Sequence, residues 1–283
     1  MQIITTIKSL RTRLKAARKN EKSIGFVPTM GYLHEGHLSL IDKSRKENDL
    51  TVLNIFVNPK QFAPGEDLDR YPRDKKRDEL LAKKSKVDII FYPSEKEMYP
   101  SGGYLTYVTV EKLSNVLCGH SRPGHFKGVA TVVTKLLNIV APDTLYLGQK
   151  DAQQAVILKR MVDDLNLPVK VRIMPIVRER DGLAMSSRNS YLSAQERTEA
   201  GALHQALKAA KQAIIKGERD TGHITALIKK IIRTQSSGRI DYVACVSFSD
   251  LEPLAVVKGK TLIATAAWFG KTRLIDNIVV TVK

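Results

Sequence analysis

Short, nearly continuous apolar runs alternate along the first part of this chain with stretches whose apolar positions recur every three or four residues. Ile24–Val27 reads as a buried strand, and Leu38–Asn48 as a helix with Leu38, Ile41 and Ser44/Arg45 along one side. Leu50–Val57 is a second strand and Val87–Tyr92 a third. A helix is expected over Val129–Val140, a strand over Thr144–Leu147, a helix over Ala152–Leu165 and a strand over Val169–Ile176. Strands that alternate with helices imply crossover connections and hence a parallel sheet. Their Val/Ile/Leu content, without polar alternation, suits strands covered on both faces.

The pattern changes after Val177. A polar stretch, Arg178 to Asn189, has few apolar residues to hold it down and is expected to be mobile until a ligand orders it. It leads to Ser193-Ala194-Gln195-Glu196, a capping box in which the serine hydroxyl accepts from the Glu196 amide while Glu196 reaches back. One long helix to about Lys216 should follow. Asp220 can cap another to about Thr234, and Ile240–Phe248 and Leu262–Val282 read as strands with turns at Lys258-Gly259 and Phe269-Gly270. The altered order of elements places a domain boundary near Val177, dividing the chain into 1–176 and a smaller 177–283.

Composition narrows the class of protein. The 283 residues are 43% hydrophobic and 27% charged, a globular balance. The two cysteines, Cys118 and Cys245, lack the spacing of a zinc site or a disulfide framework, and no apolar run is long enough for a signal peptide or a membrane span. A cytoplasmic protein that does not engage membranes is expected. The net charge of +17 raises the question of nucleic acid. The basic residues are dispersed, however, and the densest stretch, Arg73 to Lys86, is broken by Asp74, Asp78 and Glu79. No aromatic-studded basic face accompanies them, which argues against a nucleic-acid partner.

Five segments carry candidate chemistry. Met30-Gly31-Tyr32-Leu33-His34-Glu35-Gly36-His37 follows the first strand and opens a helix. Glycines let backbone approach phosphates, helix-start amides attract anions, and His34 and His37 share one face of a first turn. Gly148-Gln149-Lys150-Asp151 again joins a strand end to a helix start, where ligands of parallel sheets bind. Lys150 would face phosphates and Asp151 could take ribose hydroxyls, although Asp151 also suits a plain helix cap. Val177 with Met185-Ser186-Ser187-Arg188 offers hydroxyls and a guanidinium for phosphates, in a pattern that ordinary solvated turns share. Asn58-Pro59-Lys60-Gln61 places amides after a strand. Arg122 to Gly128 leads into Val129, Val132 and Val133, which could line an apolar pocket or simply pack in the core.

Taken in order, these segments resemble the pantothenate synthetase family. The match runs through Pro28-Thr29-Met30-Gly31, His34-x-Gly36-His37, Phe56-Val57-Asn58-Pro59-x-Gln61-Phe62, Tyr71-Pro72-Arg73, Arg122-Pro123-Gly124-His125-Phe126, Gly148-Gln149-Lys150-Asp151, Met185-Ser186-Ser187-Arg188-Asn189 and Thr272-Arg273-Leu274-Ile275-Asp276-Asn277. The resemblance implies an α/β fold with a Rossmann-like ATP- and pantoate-binding domain, a smaller α+β lid domain and a homodimer. It implies that Met30 to His37, Gly148 to Asp151, Val177 and Met185 to Arg188 hold ATP with Mg2+, and that His37, His34 and Lys150 serve catalysis, His37 as proton donor. Gln61 would contact pantoate and β-alanine, Gln154 pantoate, and Val129, Val132 and Val133 pantoate's dimethyl carbon. Ala152 stands where the family often has an aromatic residue, and Ala244 to Ser247 replace a more acidic strand end. Arg77 lies where acidic residues are common, which leaves no protein ligand for the metal to be named.

The chemistry implied is activation followed by capture. A carboxylate resists amine attack, so pantoate would first become a mixed anhydride with AMP, which β-alanine then opens. Another His-x-Gly-His adenylyltransferase, which leaves AMP in its product, is the nearest alternative; a basic nucleic-acid-binding module is the alternative of another kind.

Overall fold

A computed structural model of the chain describes residues 1–100 and 104–282. Packing groups them into two compact units. The first comprises Met1–Ser114, Arg122–Gly148 and Ile157–Pro175; the second comprises Asn115–Ser121, Gln149–Val156 and Ile176–Lys283. The division is therefore not a single cut, because two short excursions from residues 1–176 pack with the residues that follow.

The first unit is built on a six-stranded sheet in the order β1-β4-β3-β2-β5-β6, parallel at every pairing. Its strands are β1 (Gln2–Ile4), β2 (Ile24–Thr29), β3 (Leu50–Ile55), β4 (Ile89–Phe91), β5 (Thr144–Gly148) and β6 (Lys170–Met174). Every residue of β3 is buried, as an apolar run covered on both faces requires. The helices are α1 (Ile7–Lys19), α2 (Glu35–Glu47), α3 (Lys75–Lys84), α4 (Glu95–Met98), α5 (Cys118–Ser121), α6 (His125–Val140) and α7 (Ala152–Asp164); α5 and the first turn of α7 belong to the second unit. The pair β1–α1 adds to the elements expected from the hydrophobic pattern. Only Leu10, Leu14 and Ala17 of α1 are buried, a stripe too narrow to stand out in a run rich in Lys and Arg. From β2 the chain moves outward to β3 and β4, then returns to place β5 on the other side of β2. The carboxyl ends of β2 and β5 thus flank the point where strand order reverses, the place where such sheets hold ligands.

The second unit carries a three-stranded antiparallel sheet of β7 (Arg239–Ser247), β8 (Gly259–Phe269) and β9 (Thr272–Val282). Three helices follow the 177–193 segment: α8 (Ala194–Glu199), α9 (Ala202–Ile215) and α10 (Thr221–Gln235). Leu203, Ala206, Leu207, Ala210 and Ile214 of α9 and Ile224, Ile228 and Ile232 of α10 pack on Ile263, Ala267, Phe269, Leu274 and Val280 of the sheet. The single helix expected from Ser193 to Lys216 is in fact two. The ladder lapses at Ala200 and Gly201, where the Leu203 amide bonds back only three residues to the Ala200 carbonyl (3.2 Å). Glycine's poor helix propensity gives that break a local cause.

Candidate functional site

At the end of β2 the Thr29 hydroxyl donates to the Asn54 carbonyl (2.8 Å) and accepts from the Gly31 amide (3.2 Å). Gly31 has φ +84°, and a side chain there would lie 2.9 Å from Ile55 and 3.0 Å from the Asp78 carboxylate, so only glycine fits. Asp78, on α3, then takes both following amides: Tyr32 N–H (2.8 Å) and Leu33 N–H (2.7 Å). Burial pushes the Asp78 carboxyl above the ordinary carboxylate range, against the lowering effect of those two amides. The Arg77 guanidinium lies over the Tyr32 ring, 5.0 Å from its centre.

The two histidines build the start of α2. His34 is its N-cap, and its Nδ1 accepts from the Gly36 amide (3.2 Å); the His34 amide in turn donates to Nδ1 of His37 (3.4 Å). This is a capping box made of imidazoles, and it explains why the helix begins at Glu35, a turn earlier than the apolar pattern indicates. A ring nitrogen that accepts carries no proton, so both rings bear theirs on Nε2, the edge turned from the backbone. The rings stack with centres 4.1 Å apart. The arrangement presents two paired N–H donors at a helix N-terminus that follows a central strand.

Beside the same strand end, Met30 and Gln61 meet: the Gln61 Nε2 donates to the Met30 sulfur (2.9 Å). Gln61 is 8% exposed. Its carboxamide oxygen accepts from Asn58 Nδ2 (3.1 Å), which also donates to the Gly128 carbonyl (3.2 Å), while Asn58 Oδ1 accepts from the Tyr99 hydroxyl (2.8 Å). Burial raises the Tyr99 phenol far above its ordinary range, so it stays a donor. The Gln61 backbone carbonyl is bonded by His125 Nδ1 (2.8 Å). Arg122 pairs with both Glu66 oxygens (2.7 and 2.6 Å). Val129, Val132 and Val133 on α6 are all buried.

In the second unit, Gln149–Asp151 form a single 3-10 turn after β5. The Lys150 ammonium lies 3.7 Å from the Asp151 carboxylate. Gln153 is a structural residue: it accepts from the Cys118 amide (3.0 Å) and donates to the Val116 carbonyl (2.7 Å), while its neighbour Gln154 is half-buried. Val177 and Met185 come together through the Met185 amide, which donates to the Val177 carbonyl (3.0 Å), and Arg178 pairs with Ala184 across the same arm. Ser186 caps the 3-10 turn Ser187–Tyr191 by accepting from the Arg188 amide (3.2 Å). Ser187 is buried.

Polar contacts hold this segment in the structure. Asn189 Nδ2 bonds the Glu179 carboxylate (2.7 Å) and the Ala184 carbonyl (3.1 Å), and Arg197 pairs with both Glu179 and Asp181. Arg178 makes a forked ion pair with Asp276. Polar composition does not show these bonds, which join the segment partly to itself and to Arg197 and, through Arg178, to Asp276 98 residues away.

Residues 2–279 match the family model for Pantoate-beta-alanine ligase. The chain belongs to that family. A pantothenate synthetase of Caldicellulosiruptor saccharolyticus is 55% identical over 282 residues, covering all of both chains. Among ligases of solved structure, pantothenate synthetase from Thermus thermophilus superimposes with a TM-score of 0.94 at 44% identity, over 98% of this chain and 99% of that one. Pantoate-beta-alanine ligase from Francisella tularensis, solved in complex with beta-gamma ATP and beta-alanine, matches with a TM-score of 0.80 at 35% identity over 99% and 97%.

Placed in this ligase fold, three residues absent from the sequence-derived site stand out, Asp78, Tyr99 and Asn277, and Asn58, read there as an amide at a strand's end, is seen to orient Gln61. Asp78 and Tyr99 had no local signal, since each acts on a loop distant in sequence. Asn277 lies in a segment matching the family pattern, and that was the available clue.

Proposed function

We infer that the chain condenses pantoate with β-alanine at the expense of ATP, through a pantoyl-adenylate. The pantoate carboxylate attacks the α-phosphorus; the bond to pyrophosphate breaks and a mixed anhydride forms. The β-alanine amine then attacks the acyl carbon, the bond to AMP breaks, and the amine nitrogen gives up a proton. The imidazole capping box is the observation that carries this reading, because paired Nε2–H donors suit the charge that grows on phosphate oxygens. His37 serves as proton donor, and His34, Lys150, Ser186, Ser187 and Arg188 hold phosphates. Gly31, Gly36 and Gly148 keep backbone near the nucleotide, with Met30, Tyr32, Leu33, Glu35, Gln149, Asp151, Val177 and Met185 completing the ATP contacts.

Gln61 is suited to pantoate because Asn58 occupies its carboxamide oxygen and Met30 takes one Nε2 hydrogen, so that the amide's second N–H is the donor for an incoming oxygen. Gln154 adds a second amide, and Val129, Val132 and Val133 offer apolar surface to the dimethyl carbon. Among the described residues no three His, Cys, Asp or Glu gather as a metal cluster, and both oxygens of Asp78 already accept backbone amides. Magnesium accordingly enters as part of the ATP complex, held by phosphate oxygens. Residues 1–176 act as the ATP- and pantoate-binding domain and 177–283 as a lid, in a homodimer. A cytoplasmic setting suits the two free, buried cysteines, with burial pushing Cys245 up to about 12. Among the described residues no helix is long and apolar enough to cross a membrane.

The test is exchange of labelled pyrophosphate into ATP. It should require pantoate and proceed without β-alanine. Exchange that ignores pantoate, or needs β-alanine, would overturn this order of steps.

A further inference from the structure

The Thr272–Asn277 stretch matches the family pattern, yet none of its residues is among those assigned above to substrate. It lies in β9, whose pairing with β8 runs without a bulge from Thr272 to Val282. Successive side chains of such a strand point to opposite faces. Leu274 and Val280 face the core with α9 and α10, so Asp276 shares that face; Arg273 and Asn277 share the other.

Each of these polar residues holds a segment from elsewhere in the second unit. Asn277 is 3% exposed, and its Nδ2 donates to two consecutive carbonyls, Gln149 (2.9 Å) and Lys150 (3.0 Å). The Gln149 side chain answers by donating to Asn277 Oδ1 (3.2 Å). Asp276, 1% exposed, receives the forked Arg178 pair (2.6 and 2.9 Å) and steadies Asn277 by accepting its backbone amide (2.7 Å). Arg178 also donates to the Gly182 carbonyl (2.9 Å), closing the turn of the arm that ends at Met185. On the Asn277 face, Arg273 grips Asp241 (3.0 and 2.6 Å) and lies 3.5 Å from the Cys118 sulfur. The two excursions, 115–121 and 149–156, are thereby tied into the second unit.

We propose that Asn277 is a positioning residue for Lys150, and that Asp276 does the same for the arm carrying Ser186 to Arg188. This rests on Lys150 acting upon the ATP phosphates. Asn277 touches no reacting group; it fixes the backbone from which the Lys150 ammonium extends. A backbone held by two bonds from one amide has one height and one orientation, whereas loss of that amide takes a partner from two half-buried carbonyls and leaves the turn free to shift. Displacement of a reacting group by about 1 Å can cost roughly a hundredfold in rate.

The experiment is a double-mutant cycle on the full-length protein, read by pantoate-dependent pyrophosphate exchange. Asn277→Ala should slow exchange by about tenfold to a hundredfold, with the ATP requirement rising more than the pantoate requirement. In a Lys150→Ala background the same change should add less than about threefold, because the group it positions is gone. Amide exchange should quicken over 149–152 and stay unchanged over 29–37. Should Asn277→Ala fail to fold, Asn277→Asp, equal in size but lacking the two donors, enters the same cycle. Losses that multiply fully in the double mutant would mean that Asn277 is only structural, and would overturn the proposal. A Lys150→Ala variant that exchanges at the wild-type rate would instead overturn the assignment of Lys150, and this inference with it.

Discussion

Gly128→Ala isolates the geometry of the proposed acid-binding side. A methyl group on Gly128 would stand 2.1 Å from the Lys60 carbonyl oxygen, 2.5 Å from its carbon and 2.7 Å from Gln61 Cα, whereas ordinary contact begins at 3.4 Å. All three are backbone atoms, so no side chain can swing aside, and α6 must part from the 59–61 turn by about 1 Å in a close-packed interior. In an unobstructed helix the same substitution would add up to about 1 kcal/mol of stability. Here overpacking reverses the sign, and a net loss of about 1–3 kcal/mol is expected. The parting also stretches the Asn58 bond to the Gly128 carbonyl and the His125 bond to the Gln61 carbonyl. Gln61 is displaced with them, so kcat/KM for pantoate should fall by roughly a hundredfold. Thermal unfolding and pyrophosphate exchange at varied pantoate read the two effects, with ATP saturation as the control. A variant with an unchanged or raised Tm and unchanged pantoate saturation would refute this account of why position 128 is glycine.

Lys150→Ala and His34→Ala should each cut adenylate formation by about a hundredfold or more, measured by single-turnover formation of the anhydride; near-normal formation would remove the residue from the phosphate site. Tyr99→Phe deletes the donor that fixes the Asn58 amide, so Gln61 loses its defined orientation. The pantoate KM should rise about tenfold while the ATP KM stays, and an equal rise in both would count against this relay. Asp181 is held below the ordinary carboxylate range first by its hydrogen bond from Arg197, against the opposing effect of burial. A lowered folded pKa contributes stability above the unfolded value, about pH 4, that is lost as pH falls through the folded value. Asp181→Asn should therefore lower Tm at pH 7 and flatten its decline toward acid, and parallel curves for both proteins would contradict the ion pair.

What the sequence revealed and concealed divides by range. Parallel strands such as Leu50–Ile55 were legible because burial on both faces favours a nearly continuous apolar run, broken here only by Thr51 and Asn54. The His34–His37 segment was legible because its chemistry is local: the bonds that set both rings span only two or three residues. The Asp220 cap and the Ser193 capping box were legible for the same reason. Asp78 could not be found that way, since its partners Tyr32 and Leu33 lie 46 and 45 residues away. Nor could the bracing of the 178–189 arm, whose Arg178 meets Asp276 across 98 residues. The narrow buried stripe of α1 was lost among its charges, and the lapse at Ala200–Gly201 lay inside a pattern that stays periodic through it.

The pin at Asn277 also has a bearing on how the protein is made. Lys150 precedes it by 127 residues, which at about 5–20 residues per second of synthesis is roughly 6 to 25 s. For that interval the emerging chain has the start of α2 but lacks the Asn277 amide that holds the Gln149 and Lys150 carbonyls. That brace forms only when β9 has been translated and has joined β8. On the role proposed for Lys150, a stalled or clipped product that stops before β9 should not consume ATP.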